Sequence, residues 1–165
     1  MGLLDLLKTE KTPHVQSMLP EAAKNEIRAG RPPILRTSRI FLKPGEHLHY
    51  VDNAIYEKEN IRRHTVRRNG GYSVPGLFKN TRVYLGGGNS DSENQVSYQQ
   101  IQGQLFITSR RVIFVGNEGG FDEEVADLTA ITPYANCVQL QFGSKRYRIF
   151  VPDGNIPHML LQEIN

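Results

Sequence analysis

Four arginines fall within seven residues, Arg62, Arg63, Arg67 and Arg68, and Lys79 and Arg82 follow within the next fourteen. Guanidinium groups donate two parallel hydrogen bonds in a fixed plane, the geometry that carboxylates and phosphates accept. This cluster is therefore the first candidate binding site. Its parity complicates the reading. Arg62 and Arg68 share one strand face and Arg63 and Arg67 the other, so a regular strand divides the cluster unless a bulge intervenes. The same arginines could equally form a charged edge that discourages strand-to-strand aggregation. Tyr72, Phe78 and Tyr84 lie among these cations. Aromatics interleaved with basic residues are what a single-stranded nucleic acid uses, by stacking and phosphate pairing, but Tyr and Phe are also common packing residues of strands.

Other reactive types are sparser. His47 and His49 sit two apart on a predicted strand and share a face, yet no Cys or carboxylate cluster completes a three- or four-ligand metal set. They read as a surface pair. Cys137 lies between Asn136 and Val138 and reads as a packing residue. Glu123 and Glu124 are adjacent on a predicted strand and so point apart, which leaves no paired carboxylates for acid–base work. No Ser-His-Asp or Cys-His arrangement assembles. The expectation is a protein that is not an enzyme and carries no cofactor.

The totals set the frame. At 165 residues, with 38% hydrophobic and 22% charged, the chain fits one globular domain with a real core. Its apolar runs are all shorter than the ~18 residues of a membrane span. The start, MGLLDLLKTEK, has no basic region before its leucines and no cleavage site for a signal peptide. One cysteine forms no internal disulfide and suits a reducing compartment, so a cytoplasmic location is expected. Net charge is only +3, but residues 58–82 hold seven cations against Glu59 alone, a local surplus of six that leaves −3 for the rest. Residues 118–127 hold five acids and no base. Such polarity steers encounters with charged partners.

Residues 1–37 read as an N-terminal helical extension. Leu3, Leu4, Leu6 and Leu7 cover one side of a short turn, and Pro20 opens a helix over EAAKNEIRAG that Gly30 ends. Residues 38–165 read as the second unit. Pro44-Gly45-Glu46 is a turn, HLHYVDNAIYEK a strand, IRRHTVRR another and TRVYLGGG a third, with GGGNSDSEN a polar loop. GQLFIT and VIFVG form a hairpin around Ser109-Arg110-Arg111. GGFDEEV is a further strand, LTAITPY a connector or short strand, and the acidic run a solvated loop and edge. NCVQLQF and RYRIFVP flank Gly143-Ser144, a strong hairpin signal. Asp153 can cap a last helix with Ile156, Leu160 and Ile164 as its apolar stripe. Successive strands followed by one terminal helix predict an α+β protein with a mainly antiparallel sheet.

The residues Gly103, Leu105, Phe106, Ile107, Thr108, Arg111, Ile113, Phe114 and Gly116 resemble the hairpin of GRAM domains and related bacterial domains of pleckstrin-homology-like fold. The resemblance continues through Phe121, Leu128 and Ile131 to the terminal helix, over roughly residues 40–165. The chain is also similar to small uncharacterised bacterial and mobile-element proteins whose first strand opens with Pro-Gly-Glu. The resemblance implies a partly open barrel filled by the hydrophobic residues, with Thr108 and Arg111 holding the turn. It also implies a phosphate-contacting role for basic residues near the first two strands. The chain departs from many pleckstrin-homology domains in lacking a tryptophan, and residues 1–37 have no counterpart.

Three partners follow as expectations. The first is a protein or anionic surface met by a binding module through Arg62, Arg63, Arg67, Arg68, Lys79, Arg82 and Tyr72. The second is a nucleic acid, or a nucleic-acid enzyme antagonised by charged surface. The third is a membrane surface, with the N-terminal leucines as a shallow anchor. A free strand edge could also pair two copies into a homodimer.

Overall fold

The computed structural model describes residues 13–65 and 92–165. It shows a mixed α+β protein. Helix α1 (Glu21–Arg28) precedes strands β1 (Leu48–Thr65), β2 (Ser92–Thr108), β3 (Arg111–Gly116) and β4 (Gly119–Glu124). A 3₁₀ turn (Val125–Asp127) leads to β5 (Ala130–Pro133), β6 (Cys137–Phe142), β7 (Lys145–Phe150) and helix α2 (Asn155–Ile164). The seven strands form one antiparallel sheet in the order β4-β3-β2-β1-β7-β6-β5. No ladder joins β4 to β5 among the described residues, so the sheet is open there. Two compact units divide the chain: residues 1–58 with 99–165, and residues 59–98. No helix among the described residues is long and apolar enough to cross a membrane.

The hairpins form where the turn chemistry places them. Gly143 has φ +64 and, with Ser144, joins β6 to β7, in register from Cys137↔Phe150 to Phe142↔Lys145. Thr108 closes the β2–β3 turn as its hydroxyl accepts from the Arg110 and Arg111 N–H groups at 3.0 and 2.8 Å. Pairing then runs from Ile107↔Val112 to Gly103↔Gly116.

The β2–β3 hairpin is buried on both faces, which accounts for its apolar residues at adjacent positions. Leu105, Ile107, Val112 and Phe114 join the main core with Val138, Leu140, Ile149, Ile156, Leu160 and Leu161. Ala23 and Ile27 of α1 enter that same core. Phe106 and Ile113 face the other way and form a second cluster with Leu48, covered by Leu35, Ile40, Val51 and Val115. The segment 35–40 is thus a cover for the outer face of the sheet.

Three expectations are corrected. Residues 48–65 form one continuous strand, not two, since extended backbone does not require the apolar alternation that the polar run at 57–60 interrupts. His49 is buried, not a surface residue: its ring Nδ1 lies 2.6 Å from the Pro33 carbonyl, while His47 stays exposed. The acidic run is not wholly solvated, since Asp122 pairs with Arg111 at 2.9 Å and Glu123 with Lys145 at 3.2 Å. Two strand and loop readings are only partly covered. The strand read at 81–88 lies outside the described residues, and the polar loop read at 86–94 is strand from Ser92 onward.

Candidate binding surface

The strap that runs from Pro33 to Glu46 is fixed at several points. Its Leu35 N–H donates to the Leu48 carbonyl at 2.7 Å, and Pro33 accepts from His49. At the far end Gly45 adopts φ +79, a left-handed turn that glycine takes without a Cβ penalty. That turn delivers Glu46 beneath the β2–β3 turn, where its side chain is fully buried.

Arg111 meets it there. Its Nε donates to Glu46 Oε2 and one terminal nitrogen to Oε1, both at 2.9 Å, a bidentate pair. The same nitrogen donates to the Phe41 carbonyl at 2.8 Å, and the other to Asp122 Oδ2 at 2.9 Å. Glu46 also accepts from the Lys43 N–H at 2.7 Å and the Thr108 hydroxyl at 2.5 Å. Burial by itself would raise the Glu46 carboxyl. The hydrogen bonds from Arg111, Lys43 and Thr108, with the Arg111 charge, outweigh it and hold the pKa at about 2. Hydrogen bonding to Glu46 raises the Arg111 guanidinium further. With the Glu46 carboxylate saturated and the Arg111 guanidinium making four hydrogen bonds, this network positions the strap.

What it positions is Phe41. Ile40 turns inward to the second cluster, while Phe41 is 93% exposed with its backbone carbonyl clamped by Arg111. Arg39 and Lys43 flank it in sequence, and Arg36 precedes them; all three are exposed. On the adjoining turn Arg110 brings a guanidinium nitrogen beside Gly45, 3.4 Å from where a Cβ would stand. No carboxylate pairs with Arg36, Arg39, Lys43 or Arg110 among the described residues.

Clefts border the strap on two sides. One of about 350 Å³ is lined by Lys43, Ser109, Arg110, Glu124, Val125 and Ile164, among others. Another of about 450 Å³ is lined by Arg39 with His14, Asn53, Gln102, Gln104 and Asn117, among others. Phe41 lies on the chain between the two.

Of the residues singled out from sequence, Arg62 and Arg63 fall on β1. Arg67, Arg68, Tyr72, Lys79 and Arg82 lie outside the described residues, as do Phe78, Tyr84 and the leucines at positions 3, 4, 6 and 7. Thr108 and Arg111 hold the turn, but Arg111 also anchors a strap 65 residues upstream in sequence. The strap's own cations were missed by attention to 58–82. A signal existed: residues 27–45 carry five cations and no acid. Cys137 is buried, and burial pushes its thiol up. Glu123 accepts from the Tyr147 hydroxyl at 2.5 Å and from Lys145, so its carboxylate is engaged within the sheet.

No protein-family model matches the chain, and no curated protein sequence matches it.

Proposed function

We propose that the chain is a non-catalytic binding module of pleckstrin-homology-like fold that engages a protein or anionic partner through a basic face. The strand order, a run of neighbours turned back so that β1 meets β7, followed by a terminal helix, supports the fold reading. One observation carries the functional reading. Exposed cations without carboxylate partners among the described residues flank an aromatic residue on a strap that a buried ion pair holds in place. A buried ion pair is often no more stabilising than well-packed apolar residues of similar volume, although breaking it is costly, so its use to fix a surface strap supports a role in presentation. The Glu46 carboxylate has both oxygens taken by structural donors, and Glu123 Oε2 accepts from Tyr147 and Lys145. We place the module in the cytoplasm on its single, buried cysteine.

The test is recovery of partners from native lysate, with and without nuclease. It compares wild type, Arg39→Ser/Lys43→Ser/Arg110→Ser, Arg62→Ser/Arg63→Ser/Arg67→Ser/Arg68→Ser, and a control with three cations removed elsewhere, Lys24→Ser/Arg28→Ser/Arg146→Ser. The strap variant loses a nuclease-resistant partner that the control keeps. Equal recovery by all four contradicts the reading. A second reading, nucleic-acid binding, rests on the surplus of six positive charges and the aromatics at 58–82. It requires nuclease-sensitive recovery that falls steeply with salt, as counterion release demands.

A further inference from the structure

We infer that Phe41 is a preformed anchor for a folded, acidic protein partner: the ring enters an apolar socket on that partner, and carboxylates around the socket meet Arg39, Lys43 and Arg110. This rests on the binding-module reading above and names the partner's chemistry.

A single exposed apolar side chain is ordinary on a protein surface and by itself means nothing. Phe41 differs in three respects. Its backbone is fixed, because the carbonyl accepts from Arg111, whose guanidinium is locked by Glu46 and Asp122. An anchor already held in its bound position loses little entropy on docking. Its flanking cations have no carboxylate partners among the described residues and so are available to an acidic surface, although Glu124 borders the same cleft as Lys43 and Arg110. And its chain neighbours Lys43 and Arg39 each border a cleft, so projecting side chains of a partner have places to enter near the ring. A central aromatic with a charged rim is the arrangement that dominates the energetics of protein interfaces.

A lipid surface fits less well. Beside Phe41 the strap exposes Ile34, at 71%, and Leu42, at 38%. Stable membrane anchoring needs more buried apolar area than these few side chains supply. A single-stranded nucleic acid could also stack a base on a ring flanked by cations, and the identity of the adduct separates it from a protein partner.

The experiment replaces Phe41 with a photoreactive phenylalanine analogue, p-benzoylphenylalanine, in the full chain, irradiates cells expressing it and maps the adduct by mass spectrometry. The expected result is a discrete protein adduct whose crosslinked site lies in an apolar pocket bordered by Asp or Glu. Its yield falls at least about tenfold in the Arg39→Ser/Lys43→Ser/Arg110→Ser background and persists in the Lys24→Ser/Arg28→Ser/Arg146→Ser background. The analogue at Tyr134, exposed and in another part of the chain, does not form it. With the captured partner purified, Phe41→Ser weakens binding at least about tenfold while leaving the melting curve unchanged, since the ring supports nothing in the fold. Absence of an adduct overturns the inference, as do an adduct to lipid, to nucleic acid or to a second copy of this chain, and an adduct indifferent to the strap cations. Pelleting with phosphatidylserine vesicles that Phe41→Ser abolishes overturns it in favour of a bilayer. If the Phe41 adduct fails while lysate recovery still depends on the strap cations, the binding-module reading stands and the anchor falls. If both fail, neither stands.

Discussion

Glu46 is the residue on which the strap depends. It is the fully buried member of the ion pair, and four donors reach its two oxygens. Removing one charge from such a pair strands the other. At neutral pH Glu46→Gln therefore lowers stability by about 3 kcal/mol, softened by the Asp122 contact that Arg111 retains. The pH dependence follows from the depressed carboxyl. Its folded pKa of about 2 lies below the ordinary value of 4.5, so the folded state favours the ionised form. This contribution is complete above the unfolded pKa and is lost as pH falls from there through the folded value. Its size is about 3 kcal/mol, from the shift converted at 1.36 kcal/mol per unit. Urea unfolding of wild type should show this extra decline between about pH 5 and pH 2, and Glu46→Gln should lack it. Parallel pH profiles for the two proteins would remove Glu46 from the account.

The elements themselves were largely readable, and the places where reading failed have physical causes. Gly143-Ser144 set the β6–β7 hairpin because a two-residue turn with a left-handed first position matches the strand twist. Ile156, Leu160 and Ile164 marked the inner face of α2, although Leu161, fully buried, lies beside that stripe. Asp153 was a sound cap, since its Oδ1 accepts from the Asn155 N–H at 3.0 Å. Strand β1 was read as two because Glu57-Lys58-Glu59-Asn60 breaks the apolar alternation, whereas ladder hydrogen bonds are indifferent to side-chain polarity. The start of α2 holds a constraint that no sequence pattern displays. A Cβ on Gly154 would stand 2.1 Å from the Cys137 carbonyl oxygen and 2.2 Å from that of Tyr134. Its φ of −66 is ordinary, so the reason for glycine is space and not torsion. Gly154→Ala, which near a helix start would usually be neutral or stabilising, should instead cost about 1–3 kcal/mol and lower the thermal midpoint. An unchanged midpoint would mean that α2 can shift away from the β5–β6 connection at little cost.

Across the whole molecule, charge is segregated along the chain. The cations of 27–45 and 58–82 stand against the acids of 118–127, and only part of the acidic run is consumed by internal pairs. Composition made that polarity plain. It could not reveal the pairing of Glu46 with Arg111 that fixes the segment bearing Arg39 and Lys43, because long-range pairing leaves no local trace. The helix at 21–28 illustrates the same limit: its helix formers, opening proline and closing glycine were legible, but its place in the main core beside α2 depends on contacts far apart in sequence. The most direct measurement of the central claim, an acid-binding face at the strap cations, is amide chemical-shift mapping of the full chain during titration with a soluble Glu-rich peptide. The account predicts perturbations centred on Arg39–Lys43 and Ser109–Arg110, abolished in Arg39→Ser/Lys43→Ser/Arg110→Ser. Perturbations elsewhere, with Arg39–Lys43 and the β2–β3 turn unmoved, would contradict it.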